Sequence, residues 1–351
     1  MLRAIAVRTA LVVVALLVAL LVLELIFRAF FPQPLYAEAL APWGTWHEPN
    51  ASFDHASDGR LEGRLLGGRE FLTHISYDSL GIRGPEYEQP KPDRVARVVI
   101  VGDSYSDGME VELPDTVGQV LQRLLAARAA NLALPPASVA ASRPADAPSG
   151  LPAAIWDRLR RQAGVPLLVA SFQTTTAGSG ARDRFFSGLG IPAVTIENES
   201  SESSRLRFPH DGHWTPAGHA RAAALVLERI MRDGLLRLGR PVDRVEVVNL
   251  SHAAYDACQY VMVFDALGKR FAPDLVLAFD SGSDVNPTSR DLCSLDGAGT
   301  LVLRERTYSA SERVLRGLRT AVRAHSDFLT WVVDRVDGFR NRGDGVPVPV
   351  P

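Results

Sequence analysis

The chain has 351 residues, 46% of them hydrophobic and 22% charged, the balance of a globular protein forming one large domain or two smaller ones. Its 38 Lys and Arg against 40 Asp and Glu leave a formal net charge of −2. With no basic stripe and no interleaved aromatics, this excludes a nucleic-acid-binding class.

The N-terminus differs in kind from the rest. Ala10 to Phe27 is an apolar run interrupted only by one acid, Glu24, with Arg3 and Arg8 before it and Arg28 after it. About 20 such residues span the hydrocarbon core of a bilayer. The excess of positive charge at the N-terminal end predicts that this end stays in the cytoplasm and that the remainder is exported. The competing reading is a cleaved signal peptide, with Ala37-Glu38-Ala39 as its cleavage site. An Ala-, Arg- and Val-rich composition points to a bacterium, hence to a single-pass inner-membrane protein with its bulk on the periplasmic side. Residues 32–69 are rich in Pro, Trp, Gly and Glu. There, Pro42-Trp43-Gly44-Thr45-Trp46-His47 reads either as an interfacial aromatic anchor or as a loop packed on the domain.

Val98 to Val101 is a short β-branched run that predicts a buried strand over 97–101. Gly102-Asp103-Ser104 breaks it, and an amphipathic helix follows from Thr116 to Leu125. Residues 126–150 are Ala/Pro/Ser-rich and read as a flexible linker. Then come a helix over Trp156–Ala163, a strand over 166–170, a polar loop at 173–180 and a strand over 193–196. A His-rich loop, Phe208 to His219, opens a helix over Ala220–Met231. After a tight joint, Leu235 to Val242, the pattern gives a strand at 245–249, a helix at 256–270, a strand at 274–279 and helical character over 309–335. The tail 341–351 alternates Val and Pro and reads as disordered. This alternation predicts an α/β fold: a three-layer α/β/α sandwich on a parallel sheet of about five strands, preceded by one transmembrane helix. The expected organisation is an anchor over 1–31, a juxtamembrane and lead-in segment over 32–95, and an α/β domain over 96–340.

The chemistry gathers in two places. Ser104 falls where a strand gives way to a helix, the sheet edge at which open α/β folds bind ligands. Asp211 and His213 sit two apart in one loop, so a single turn supplies both a base for a serine and the carboxylate that fixes its tautomer. His210, His213 and His219 match no strong zinc spacing, no cysteine lies near them, and neither metal nor cofactor is expected. His252, near Asp256, is an alternative base. Cys258 and Cys293 lie in the exported part, either as a disulfide or as buried thiols.

Together Gly102-Asp103-Ser104 and Asp211-Gly212-His213-Trp214 resemble the first and last blocks of the SGNH (GDSL-type) hydrolase and acyltransferase superfamily. Thr73-His74-Ile75-Ser76-Tyr77-Asp78-Ser79-Leu80-Gly81-Ile82-Arg83-Gly84 is similar to the lead-in of its membrane-anchored bacterial group. The resemblance covers roughly residues 70 to 335 and implies an SGNH/flavodoxin-like fold. It makes Ser104 the nucleophile and first oxyanion donor, His213 the base and Asp211 its partner. The glycine of the family's second block falls on Ala254 and the asparagine of its third on Ser283, so the implied oxyanion donors are Ser104, Ala254 and Ser283. The blocks are also transposed: the last precedes the second and third. The expected function is that of an exported serine esterase acting on a carbohydrate or lipid ester through an acyl-enzyme. The alternatives are an O-acyltransferase that acetylates cell-surface polysaccharide, and a catalytically degenerate SGNH-like binding module.

Overall fold

The computed structural model describes residues 2–30, 38–57, 70–136, 148–173, 179–197, 203–281, 291–326, 328–330 and 332. It opens with helix α1 (Leu2–Phe30), of which Val7–Ala29, 23 residues with a mean hydropathy of 3.2, is long and apolar enough to cross a membrane and is not buried against the rest of the chain. Two small antiparallel hairpins follow, β1 (Glu38–Ala41) with β2 (Gly44–His47) and β3 (Ser52–Ala56) with β4 (Leu72–Ser76). Trp43 and Trp46 of the first are buried in the core, so this segment packs on the domain and is not an interfacial anchor.

The remaining elements run β5 (Val95–Val101), α2 (Ser104–Asp107), α3 (Val117–Ala126), α4 (Ala129–Leu132), α5 (Leu151–Ala163), β6 (Leu167–Gln173), α6 (Ser179–Gly188), β7 (Ala193–Glu197), α7 (Ser203–Leu206), α8 (Pro216–Asp233), β8 (Arg244–Asn249), α9 (Ala257–Ala266), β9 (Leu275–Asp280), β10 (Cys293–Leu295), β11 (Leu301–Leu303) and α10 (Ala310–His325). The five strands β7-β6-β9-β5-β8 form one sheet in that spatial order, and every pairing in it is parallel. Side chains alternate between its faces with period two. Val99, Val101, Val169, Val248 and Ala278 pack with α5 and α9, whereas Val98, Ile100, Leu168, Val247 and Leu277 pack with α3 and α8.

The spatial order carries information that the chain order hides. Read with residues 241 onward placed ahead of residue 126, the strands run 2-1-3-4-5 across the sheet, a common order of doubly wound α/β proteins. The joint that must close does so locally. Helix α8 ends at Gly234 in the left-handed conformation, Leu235 and Leu236 are buried, and the Leu238 N–H donates to Leu132 O at 2.7 Å. Arg240 then donates to Val95 O at the start of β5 (2.9 Å), and β8 begins beside it.

Leu132 also corrects the reading of 126–150 as a flexible linker. Its first part is folded: α4 forms a turn whose Leu132 is fully buried against α8, and α5 starts at Leu151, earlier than its apolar pattern announced. Residues 137–147 of that stretch, and the tail 341–351, lie outside the described residues. Cys258 and Cys293 are joined in a disulfide that ties the start of α9 to β10.

At the N-terminal ends of the strands, Arg97 is completely buried. Its Nε donates to Glu246 Oε2 on the neighbouring strand (2.8 Å) and its Nη1 to Phe271 O (3.0 Å). Asp274 accepts from the Arg97 backbone N–H (2.8 Å) and pairs with Lys91 (2.8 Å) and Arg240 (3.1 Å). A buried charge is tolerated only when so paired and hydrogen-bonded.

Candidate active site

Strand β5 ends at Val101, and the chain turns at once into α2. Gly102 is required by close approach. A Cβ there would run into the Ser106 hydroxyl and lie 3.0 Å from the Cβ of Phe279 and 3.1 Å from the hydroxyl of Ser251. Asp103 caps α2, its carboxylate accepting from the Tyr105 N–H (3.1 Å). Ser104 is therefore the first residue of the helical turn, half-buried, with its side chain over the C-terminal end of the sheet.

The loop from Phe208 to Trp214 supplies the partners. It closes on itself through Phe208 N–H to His213 O (2.9 Å) and Gly212 N–H to Phe208 O (2.9 Å). The carboxylate of Glu70 braces it, accepting from the backbone N–H groups of His210 (3.0 Å) and Asp211 (2.9 Å). The result is a continuous relay: His213 Nε2 is 2.8 Å from Ser104 Oγ, and His213 Nδ1 is 2.5 Å from Asp211 Oδ1. Asp211 also accepts from the His213 backbone N–H (3.1 Å). Tyr105, Phe172 and Trp214 wall the imidazole, the Tyr105 ring centroid standing 5.1 Å from it.

A second carboxylate meets the same ring nitrogen. Glu110 is buried, its Oε1 is 3.3 Å from His213 Nδ1, and its Oε2 has no hydrogen-bond partner among the described residues. The lead-in loop holds it there. Asp78 accepts from the N–H groups of Leu80 and Ile82 (both 2.8 Å). Gly81 adopts φ +78°, and a side chain at that position would meet the His47 carbonyl and the Trp46 indole. Arg83, delivered by this turn, donates to Gly108 O and to Val111 O (2.7 Å), clamping both ends of the segment that carries Glu110.

These surroundings set the protonation states. For His213, burial opposes the charged ring, but the Asp211 hydrogen bond and the Glu110 and Asp211 charges outweigh it and raise its pKa to about 9. Burial raises Glu110 to about 7, partly offset by the His213 charge. Asp211, despite its own burial, is held below the ordinary carboxylate range by His213. Burial lifts Asp103 to about 6. The Nδ1 of His213 and the carboxylates of Glu110 and Asp211 have ligand atoms within 4.8 Å of one another, a set that could hold a metal ion. Such an ion would take the same Nδ1 that bonds Asp211, so ligation and the relay exclude each other.

Of the other expected site residues, Ala254 lies in the turn after β8, exposed and at φ +61°. The left-handed conformation is one glycine adopts freely and a Cβ resists. The turn hangs on Gly102 O, which accepts from the His252 N–H (3.2 Å), and on Asn249, whose Nδ2 donates to Ser106 O (2.6 Å). Neither the Ser104 N–H nor the Ala254 N–H meets an acceptor among the described residues. Ser283 lies outside the described residues.

The remaining histidines diverge from the relay. His210 is exposed, and His219 is fully buried, its Nδ1 accepting from the Val117 N–H (3.1 Å) while burial pushes its pKa down to about 3. His252, the alternative base, stacks on His47 and Tyr255 with ring centroids 4.6 Å away in each case, and bonds no serine nucleophile. Glu70, Arg83 and Glu110 were not singled out for roles in the sequence. Arg83 lay within the lead-in match, but nothing in local spacing marks Glu70 or Glu110.

Comparison of the chain with protein-family models, with curated proteins and with solved structures finds no match. The functional reading therefore stands on the geometry and on the resemblance of the two motif blocks.

Proposed function

We propose that this chain is a membrane-anchored SGNH-type α/β/α protein, extracytoplasmic in its bulk, that cleaves an ester of a carbohydrate or lipid through an acyl-enzyme on Ser104. The observation that carries the reading is the unbroken hydrogen-bonded line Ser104–His213–Asp211, assembled from two loops far apart in sequence at the C-terminal edge of a parallel sheet.

In this reading His213 Nε2 takes the Ser104 Oγ proton as the oxygen adds to the ester carbonyl, and Asp211 holds the Nδ1 proton and the charged ring that results. The tetrahedral oxyanion is met by the N–H groups of Ser104 and Ala254, both without another acceptor among the described residues. One such donor is worth about 2.7–4 kcal/mol of transition-state stabilisation. The imidazolium then returns its proton to the departing alkoxide, leaving the acyl group on Ser104. Water attacking that ester completes a hydrolase cycle, whereas a sugar hydroxyl completes an O-acyl transfer.

The partition between these two is the test. Incubation with 4-nitrophenyl acetate, followed by intact-mass measurement, is expected to reveal a single acetyl adduct that Ser104→Ala abolishes. Adding a soluble oligosaccharide and following acetyl-sugar against free acetate then separates transferase from esterase. A folded protein that forms no adduct contradicts the enzyme reading and leaves the binding module, which the Ala and Ser at the second and third blocks favour.

A further inference from the structure

The helix α10 presents an apolar face that nothing among the described residues covers. Val314, Leu315 and Leu318 are 65%, 51% and 61% exposed, the kind of contiguous apolar surface that soluble proteins bury. At about 100° per residue these three side chains share one side of the helix, while on the other Arg313 is exposed and Arg316 lies over the Tyr308 ring at 5.4 Å. The sequence repeats arginine at 313, 316, 319 and 323, and the only acid of the helix, Glu312, is taken up in the capping box with Ser309.

Both ends of α10 are fixed to the part of the protein nearest the anchor. Just before it, the Arg306 N–H donates to Pro42 O (2.6 Å) and the Tyr308 hydroxyl donates to Gly44 O (2.5 Å), on the hairpin that follows α1 in the chain. Just after it, the Ser326 hydroxyl (2.7 Å) and the Phe328 N–H (3.2 Å) donate to Glu24 Oε2, and the Phe328 ring packs edge-on against Phe27 at 5.3 Å. Glu24 and Phe27 belong to the last turns of the apolar span Val7–Ala29. The only acid in that span thus accepts through Oε2 from the segment that ends α10, while its Oε1 accepts from Arg28 Nε within α1 (2.7 Å). The helix with this exposed apolar face is thus joined, through the residues that follow it, to the last turns of the exposed apolar span of α1.

We propose that α10 is an interfacial helix: Val314, Leu315 and Leu318 lie in the anionic phospholipid surface at the exit of α1, with the exposed Arg313 at the headgroups. An amphipathic helix with basic residues on its polar side binds a bilayer in this way, its apolar side sunk about 5–10 Å into the headgroup and acyl boundary. Anionic headgroups add attraction for each arginine near the surface. The active-site domain would then be held by two contacts, a span and a surface helix, which fixes its orientation to the membrane as a single span cannot. The proposal rests on α1 crossing a bilayer and is independent of the acyl-transfer reading.

The test uses the full chain in vesicles of phosphatidylethanolamine and phosphatidylglycerol. Cysteine is introduced singly at Leu318, at Arg313 about 140° away around the helix, and at Val18 within α1, and is labelled with an environment-sensitive fluorophore. The two native cysteines are joined to each other and do not compete for label. The expected result is blue-shifted emission at 318 that nitroxide-bearing lipids quench severalfold more strongly than emission at 313, with quenching at 18 as well. Water-like emission at 318 alongside a quenched 18 overturns the proposal while leaving the anchor. Blue-shifted but unquenched emission at 318 assigns the face to a second copy or another protein and overturns it equally. An unquenched 18 removes the anchor and the proposal with it.

Discussion

At the N-terminal ends of its strands the sheet holds Arg97, Glu246, Asp274, Lys91 and Arg240 in one network, with the buried guanidinium hydrogen-bonded to a carboxylate and a carbonyl. At the C-terminal ends the charges are left in tension. Glu110 and Asp211 crowd one imidazole nitrogen, Glu110 keeps an unpartnered buried oxygen, and the pKa values of Asp103, Glu110 and His213 all rise. The same strands carry both ends, so the contrast comes from the loops. At one end burial is matched by pairing; at the other it is not, and ionisable groups perturbed in this way gather at sites suited to acid–base chemistry.

The largest effect expected is at the strained end. Ser104→Ala or His213→Ala should reduce acyl-enzyme formation at least about a thousandfold, because members of such a relay act as a unit. Thermal unfolding of Ser104→Ala should remain within about 1 kcal/mol of the parent, since it removes a half-buried hydroxyl with a single hydrogen bond to His213. At the opposite end the signs reverse. Arg97→Met leaves Glu246 Oε2 without its guanidinium, although Arg244 still pairs with Oε1 (2.9 Å), and should destabilise by about 3 kcal/mol in denaturant unfolding, the low end for a broken buried pair, while the relay still labels in the fraction that remains folded.

Glu110→Gln sharpens the comparison without breaking it. Removing that charge lowers the His213 pKa from about 9 toward its ordinary value, so the acid limb of the acylation rate against pH should move to lower pH. An unmoved limb would mean that Glu110 does not act on the ring. The stability consequence has a definite sign. His213 has its folded pKa raised from 6.5 to about 9, so its contribution is fully present below 6.5 and is lost as pH rises through 9. Glu110 is raised from 4.5 to about 7, so its contribution is likewise lost as pH climbs through that window. The Gln variant should therefore gain on the parent between about pH 4.5 and 7 in unfolding free energy, a comparison read from denaturant titrations at each pH. The smallest effect belongs to the turn after β8: Ala254→Gly relieves a Cβ in the left-handed region and should stabilise by about 1 kcal/mol, visible as a modest rise in melting temperature.

The central strands were legible because parallel strands buried on both faces are nearly continuous apolar runs: Val98–Val101 and Leu275–Phe279 announce β5 and β9 directly. The short strands β1 to β4 were not: each has only four or five residues, and in the β3–β4 pair the buried face carries His55 and Thr73 while Leu72 is exposed, so burial there does not follow an apolar alternation. Helix α5 was read from its apolar face and so started at Trp156; the structure begins it at Leu151, where Gly150 and Pro152 set the first turn. The relay residues were readable because Ser104 sits at a strand-to-helix break and Asp211 and His213 share a loop. Glu70 and Glu110 were not, because their contacts to that loop arise only when the lead-in segment folds over it. The spatial strand order was the least accessible feature: the sequence alone displays transposed blocks, and only the sheet returns them to a 2-1-3-4-5 arrangement.

The most direct measurement is labelling of the folded protein with a fluorophosphonate serine probe, read by intact mass and by peptide mapping. The account predicts one adduct, located on Ser104 and lost in both Ser104→Ala and His213→Ala. A protein that is folded by circular dichroism and takes no label, or that labels equally well without His213, would contradict the claim that this rearranged chain builds an activated serine.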